Sequence, residues 1–386
     1  MDQASASELQ MLEDSARRWV KEAAGSADAD TRWSQMAEMG WLGISLPEAC
    51  DGLGQGLAEV CALARALGAG PVNDPIGPVL VQAGALIAAC GTADQQQRWL
   101  APIARGALRL VPAVQERGQS WRDEGFATQA RAQGGGWVIE GDKALVVAGD
   151  RAHAFVVAAS LPDGKAGFFV VPRDAQGASV TPLPTVDGVG ACHLSLRGVM
   201  LTSADHLASA SLADWHRVCD DALLVACAES SGAMDTLLRT TADYLRTRIQ
   251  FGKPLAANQA LRHRMADLAV ACEEARSMVQ SGVQVLSDPS VPAPERSRKA
   301  AGVRAKVGLL ARRVCEEAIQ LHGGMGVTEE LAVGVFLKRQ VALDALFGPP
   351  EWHLRRHARL RAAMPSATSD AANNSAVAAN PPTAKV

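Results

Sequence analysis

Hydrophobic positions along the chain follow two periods, and the switch between them divides it. From residue 7 to about 105 apolar side chains recur every three to four positions. Leu9, Leu12, Ala16, Trp19 and Val20 form one stripe with Glu13 and Asp14 turned away from it, which predicts an amphipathic helix. Further helical runs are predicted over 57–67, 78–89 and 92–100, the last opened by the cap signal Thr92-Ala-Asp. Near residue 106 the period shortens. The runs 108–114, 137–140, 144–147, 154–157, 167–171 and 193–196 are β-rich, with Gly-rich or Asp-Gly turns such as Gly134-Gly-Gly and Asp163-Gly between them. They predict a small sheet or barrel. From Leu212 the helical period returns over 212–247, 257–284, 294–321, 327–346 and 350–362, joined by short breaks, as in an antiparallel bundle. The expected fold class is therefore α+β: an N-terminal helical domain (1–105), a middle β-barrel-like domain (106–207) and a C-terminal four-helix bundle (208–363). Residues 364–386, rich in Ala, Ser, Asn and Pro, hold too little apolar surface to order themselves and read as a disordered tail.

Composition narrows the function classes. Of 386 residues 48% are hydrophobic and 20% charged, which suits a globular protein of two or three domains. Lys+Arg 38 against Asp+Glu 41 leaves a net charge of −3, no footprint for nucleic acid. No window approaches the run of about 18 apolar residues that a membrane span needs. The opening MDQASASELQ has neither the basic nor the apolar stretch of a signal peptide, so a cytoplasmic location is expected. Eight scattered cysteines, with no C-x-x-C pair and no histidine at finger spacing, read as small core residues rather than a metal or disulfide framework.

Two segments carry candidate chemistry. In Arg248-Ile-Gln-Phe-Gly-Lys-Pro, which closes the helix containing Tyr244, Gly252 suits the left-handed residue after a helix and Pro254 a stop. The plain alternative is a helix terminus with a solvated arginine. In Gln320-Leu-His-Gly-Gly-Met-Gly the glycines either form a C-cap and turn or let backbone approach a phosphate or an adenine. His322 in this loop is either an adenine-ribose contact or a surface histidine.

Together with Gly43-Ile-Ser-Leu-Pro-Glu, Gly52-Leu-Gly, Trp137-Val-Ile-Glu-Gly-Asp-Lys and the domain order, the two segments make residues 7 to about 362 resemble the acyl-CoA dehydrogenase family. Within it the chain looks most like small subunits of heteromeric pimeloyl-CoA or steroid-degrading enzymes. The resemblance implies FAD as cofactor, an acyl-CoA substrate dehydrogenated at its α,β carbons, a larger dehydrogenase subunit as partner and an electron-transferring flavoprotein as acceptor. It implies that Arg248, Gln250, Phe251, Gln320, His322, Gly323 and Gly324 meet the FAD of a neighbouring subunit, the arginine at its pyrophosphate and the glycine loop at its adenine end.

The departures from the family pattern are as telling. Where many members place a catalytic Glu, the run Leu346-Phe-Gly-Pro-Pro-Glu-Trp-His puts Phe347, which takes no proton. Where others place the base, 22 residues before the tyrosine equivalent to Tyr244, stands Ala222, and the adjacent Asp221 is turned by about 100° around the helix. Asp221 is the weak candidate for a base, against the plainer reading of Asp220 and Asp221 as a solvated or capping pair. Glu351 and His353 are a displaced base or an acidic helix start. His263 and Asp267, four apart, read as a structural pair, and 354–361 as a solvated basic helix end or a surface for CoA phosphates or a partner. The flavin-facing T-E-P-x-x-G-S-D becomes Gln115-Glu-Arg-Gly-Gln-Ser-Trp-Arg-Asp, and the aromatic-x-Thr beside the ring becomes Leu145-Val-Val. The chain keeps what it would lend to a neighbour's FAD and changes what would hold its own. Three readings follow: a subunit completing a partner's site, a self-sufficient dehydrogenase with an unconventional base, and an interaction protein on the same fold.

Overall fold

The structure, a computed structural model, describes residues 3–23, 28–119, 121, 125–328 and 331–364; the tail from Pro365 to Val386 lies outside them. The N-terminal part comprises α1 (Gln3–Ala23), α2 (Ala29–Glu38), α3 (Leu57–Gly68), α4 (Ala85–Cys90) and α5 (Ala93–Ala104). Asp28 caps α2, and the pair Thr92/Gln95 forms a reciprocal cap on α5, satisfying backbone N–H groups that a helix start leaves unpaired. The predicted helix over 78–89 is instead a wide π-helical stretch, Gly77–Gly84, running into α4.

The middle part is one curled sheet of β1 (Leu110–Ala113), β2 (Gln129–Gln133), β3 (Gly136–Val147), β4 (Ala154–Ser160), β5 (Ala166–Pro172), β6 (Ala178–Leu183) and β7 (Ala191–Leu201). Its order is β1-β4-β2-β3-β7-β6, with β5 on the other edge of β4. β4 and β5, Ala-Phe-Val-Val and Gly-Phe-Phe-Val-Val in sequence, are buried along nearly their whole length. The runs 137–140 and 144–147 are a single strand, β3, whose register against β7 shifts between Lys143 and Val146. There Leu145 has φ +51°, a conformation a branched side chain resists, and the bulge re-aims the strand.

The C-terminal part packs α6 (Leu212–Thr247), α7 (Gln259–Ser287), α8 (Ala293–His322), α9 (Val333–Phe347) and α10 (Pro350–Ala362), with a short hairpin of β8 (Ile249–Gln250) and β9 (Lys253–Pro254) after α6. Ser211 and Asp214 cap α6 reciprocally. Small residues of α6 admit close packing: a Cβ on Gly232 would fall 1.9 Å from the Arg65 carbonyl oxygen of α3. The order of N-terminal helices, a curled middle sheet and a C-terminal helical domain is the α+β arrangement expected from the sequence.

Candidate functional site

Two places gather the candidate residues. The first is a cleft of about 140 Å³ between the sheet and the bundle. Gln115, Leu145 and Val147 wall it from the sheet, Cys219 and Leu223 from α6, and Phe347 closes it from the end of α9. Among the described residues lining it there is no aspartate, glutamate, lysine, arginine or histidine. Phe347 thus stands in the cleft where the resemblance places a carboxylate.

Asp221 is not in the cleft. Its carboxylate accepts from Arg296 of α8 at 3.0 Å, and Arg296 also donates to the Leu286 carbonyl at the end of α7. Burial pushes the Asp221 carboxyl up to about 6, with Arg296 pulling the other way. Asp220 is equally committed: Arg356 of α10 donates to it at 3.1 Å and Ser297 at 2.5 Å. The two aspartates therefore tie α6 to α8 and α10, Asp220 buried and Asp221 partly exposed. Glu351 is exposed on the first turn of α10, while His353 is fully buried and hydrogen-bonds the Phe347 carbonyl at 2.6 Å. Neither lines the cleft. Asp267 pairs with Arg313 at 3.7 Å rather than with His263, which is exposed. In the basic segment, Arg356 points inward and His357 meets the Arg298 carbonyl, whereas Arg355, Arg359 and Arg361 are exposed.

Behind the cleft wall lies a group that residue patterns did not reveal. Lys143 of β3 is 1% exposed and donates to Glu116 at 2.5 Å, and Glu116 also accepts from the backbone N–H of Ala127 and Thr128. Burial pushes the Lys143 ammonium down to about 8 against the pull of Glu116. The pair braces the loop after β1 against β3 through partners 27 residues apart, which no local motif advertises.

The second place is the far end of the bundle. Gly252 is left-handed, at φ +76°, but not as a helix cap. It follows Phe251, at φ +50°, in the two-residue turn of the β8–β9 hairpin. Two successive left-handed residues are what such a turn requires, and a phenylalanine there carries strain. Phe251 is fully exposed and Ile249 64% exposed, so the hairpin presents apolar surface outward. Arg248 is exposed beside it, its guanidinium without a partner among the described residues. Gln250 and Gln320 are exposed too. Tyr244 donates to the His322 carbonyl at 3.2 Å and lies over its ring at 4.4 Å, which brings the hairpin and the glycine loop to the same end. His322 is 2% exposed, not a surface histidine. Its Nδ1 hydrogen-bonds the Ala318 carbonyl at 2.8 Å, and its buried Nε2 has no partner among the described residues. A Cβ on Gly323 or Gly324 would meet nothing within 4 Å, so backbone lies open to a ligand there. Gly323 itself has φ +60° and ψ −139°, a conformation reserved for glycine.

A cofactor with phosphates and a flat base fits the second place: an unpaired arginine, an exposed aromatic ring and uncovered glycine backbone. Among the described residues no group of three or more side chains could hold a metal, and no helix is long and apolar enough to cross a membrane. Three family models match the chain in this order: the acyl-CoA dehydrogenase N-terminal domain over 6–107, the middle domain over 114–199 and the C-terminal domain over 222–360. The chain belongs to the acyl-CoA dehydrogenase family, whose members are FAD-dependent oxidoreductases acting on acyl-CoA thioesters. It is similar to acyl-CoA dehydrogenase FadE12 of Mycobacterium tuberculosis, 29% identical over 79% of this chain and 81% of that protein. Among solved structures it is similar to the steroid ACAD Tcur3481-Tcur3483, with TM-score 0.80 and 29% identity over 92% of this chain and 98% of that one. The ChsE4-ChsE5 complex from Mycobacterium tuberculosis has TM-score 0.83 and 26% identity over 95% and 99%.

Proposed function

We propose that this chain is a subunit of a heteromeric acyl-CoA dehydrogenase that completes the FAD site of a larger, catalytic partner. FAD supplies the hydride acceptor when bound. The observation that carries the reading is the contrast between the two places: among the described residues the chain's own cleft offers no carboxylate, lysine, arginine or histidine, while the hairpin end turns out an Arg248 with no side-chain partner, an exposed Phe251 and open glycine backbone. Arg248, always charged, is suited to a pyrophosphate. Phe251 and Gln250 give it an apolar and a polar flank, and Gln320, His322, Gly323 and Gly324 serve the adenine end. Removal of the α-proton needs a positioned carboxylate, which the partner contributes. That two of the similar solved structures carry paired names, Tcur3481-Tcur3483 and ChsE4-ChsE5, supports a two-chain assembly. An electron-transferring flavoprotein in the cytoplasm is the acceptor in this reading.

Asp221→Asn tests it. In the co-expressed complex this variant turns over acyl-CoA at close to the wild-type rate, measured with an artificial electron acceptor. The same change lowers turnover by roughly two or more orders of magnitude if Asp221 is the base. Stability gives a second reading. An acid whose folded pKa, about 6, lies above its unfolded value of 3.8 binds its proton better when folded. Wild type therefore loses stability relative to the Asn variant as pH rises from about 4 to 6. Unfolding titrations of both proteins at pH 4 and 6 check the sign.

A further inference from the structure

One side chain crosses from the middle part of the molecule to the bundle beside the cleft. The indole N–H of Trp121 donates to the Ala345 carbonyl of α9 at 3.1 Å, across 224 residues of chain. Its ring stands at 64° to that of Trp352 of α10, centroids 6.0 Å apart. Gly348 sits against both, at φ +93°, and a Cβ there would come 3.3 Å from the Trp121 ring and 3.4 Å from the Trp352 ring. The turn after Phe347 thus takes the indole against bare backbone, and the buried His353 pins the same turn through the Phe347 carbonyl. Both Trp121 and Phe347 line the cleft. At about 140 Å³ the remaining space is well under the roughly 300–1,000 Å³ of small-molecule pockets.

We infer that Trp121 decides what this chain's own cleft admits: the indole, held to Ala345 and Trp352, occupies space that a flavin-sized ring needs, and the cleft takes such a ring only when the indole is removed. The inference rests on the family assignment of the cleft, not on the two-subunit reading. Ring binding by the isolated chain involves no partner, so the two fail separately. Apolar side chains dominate the cleft's walls, with Val114, Phe126, Val146 and Trp215 among them. An enlarged apolar cavity in a protein takes up aromatic molecules.

The probe is lumiflavin, a flavin ring without ribityl chain or phosphate, titrated by fluorescence against the full chain. The expected result is no saturable binding to wild type or to Trp121→Phe, which still fills the space. Trp121→Ala is expected to bind at least about tenfold more tightly than wild type. Thermal melts establish that each variant is folded. Where Trp121→Ala does not fold, Trp121→Leu, which keeps an apolar contact and opens part of the space, is read in its place. Wild type binding the ring as tightly as the folded small variant overturns the inference, as does a folded small variant with no gain. An equal gain in Trp121→Phe overturns it too, because ring bulk rather than the hydrogen bond is the claim.

Discussion

Replacing Arg339 by alanine lowers the stability of the folded chain by about 3–5 kcal/mol, the range for breaking a buried ion cluster from one side. Arg339 of α9 donates to Glu229 of α6 at 2.6 and 3.1 Å and to Asp187, in the turn between β6 and β7, at 2.7 Å. The side chains are 14%, 18% and 2% exposed respectively, so water does little to replace the lost guanidinium. Without it two carboxylates are left in the seam between the sheet and the bundle with no counter-charge among the described residues, and Asp187 keeps only the Thr185 hydroxyl and the Val189 N–H. The cost is the stranded charge, not the net worth of the cluster. Arg339→Met with Asp187→Asn and Glu229→Gln therefore recovers most of the loss, since apolar or neutral replacements of buried ions are commonly near neutral. Denaturant unfolding of the single and triple variants measures this. A loss under about 1 kcal/mol in Arg339→Ala is the behaviour of a surface pair and contradicts the account of the seam.

The second large effect is on the cofactor. Arg248→Ala leaves the fold intact, because the side chain is exposed and makes no hydrogen bond or ion pair with the described residues, yet it weakens FAD retention in the assembled enzyme. A charge-assisted contact to a phosphate is worth about 1.5–3 kcal/mol, which is roughly a tenfold to 150-fold rise in FAD dissociation constant. Arg248→Lys recovers only part of it, since a point charge does not reproduce the guanidinium's paired donors. Flavin occupancy after gel filtration at limiting FAD reads the effect. Undiminished occupancy in a well-assembled Arg248→Ala complex removes Arg248 from the site.

How much of this was legible in the sequence depended on how local the determinant was. The helix over 212–247 coincides with α6 because a long apolar period ends at a cap box on one side and Pro254 shortly beyond the other. β2 and β6 went unread. Gln-Ala-Arg-Ala-Gln has no β-branched or aromatic residue, and its side chains other than Ala130 are exposed. Pro182 argues against a strand, but β6 lies at the edge of the sheet, where a missing N–H costs nothing. Phe347 in place of the carboxylate was visible as a substitution, and the structure adds what surrounds it. Gly252 was legible as left-handed and not as a hairpin residue, since the same φ serves both. The partners of Asp221 and Arg339, and the reach of Trp121 to Ala345, join segments 75 to 224 residues apart. Only the assembled fold sets such distances.

Flavin content is the most direct test of the division of labour between this chain and a catalytic partner. The full chain is expressed alone and together with a larger acyl-CoA dehydrogenase subunit, purified, and its FAD counted per chain by absorbance after release. The account predicts almost none on the chain alone, and FAD retained on co-expression, lost again when the arginine at 248 is replaced. Stoichiometric FAD on the chain purified alone, with acyl-CoA turnover, contradicts it.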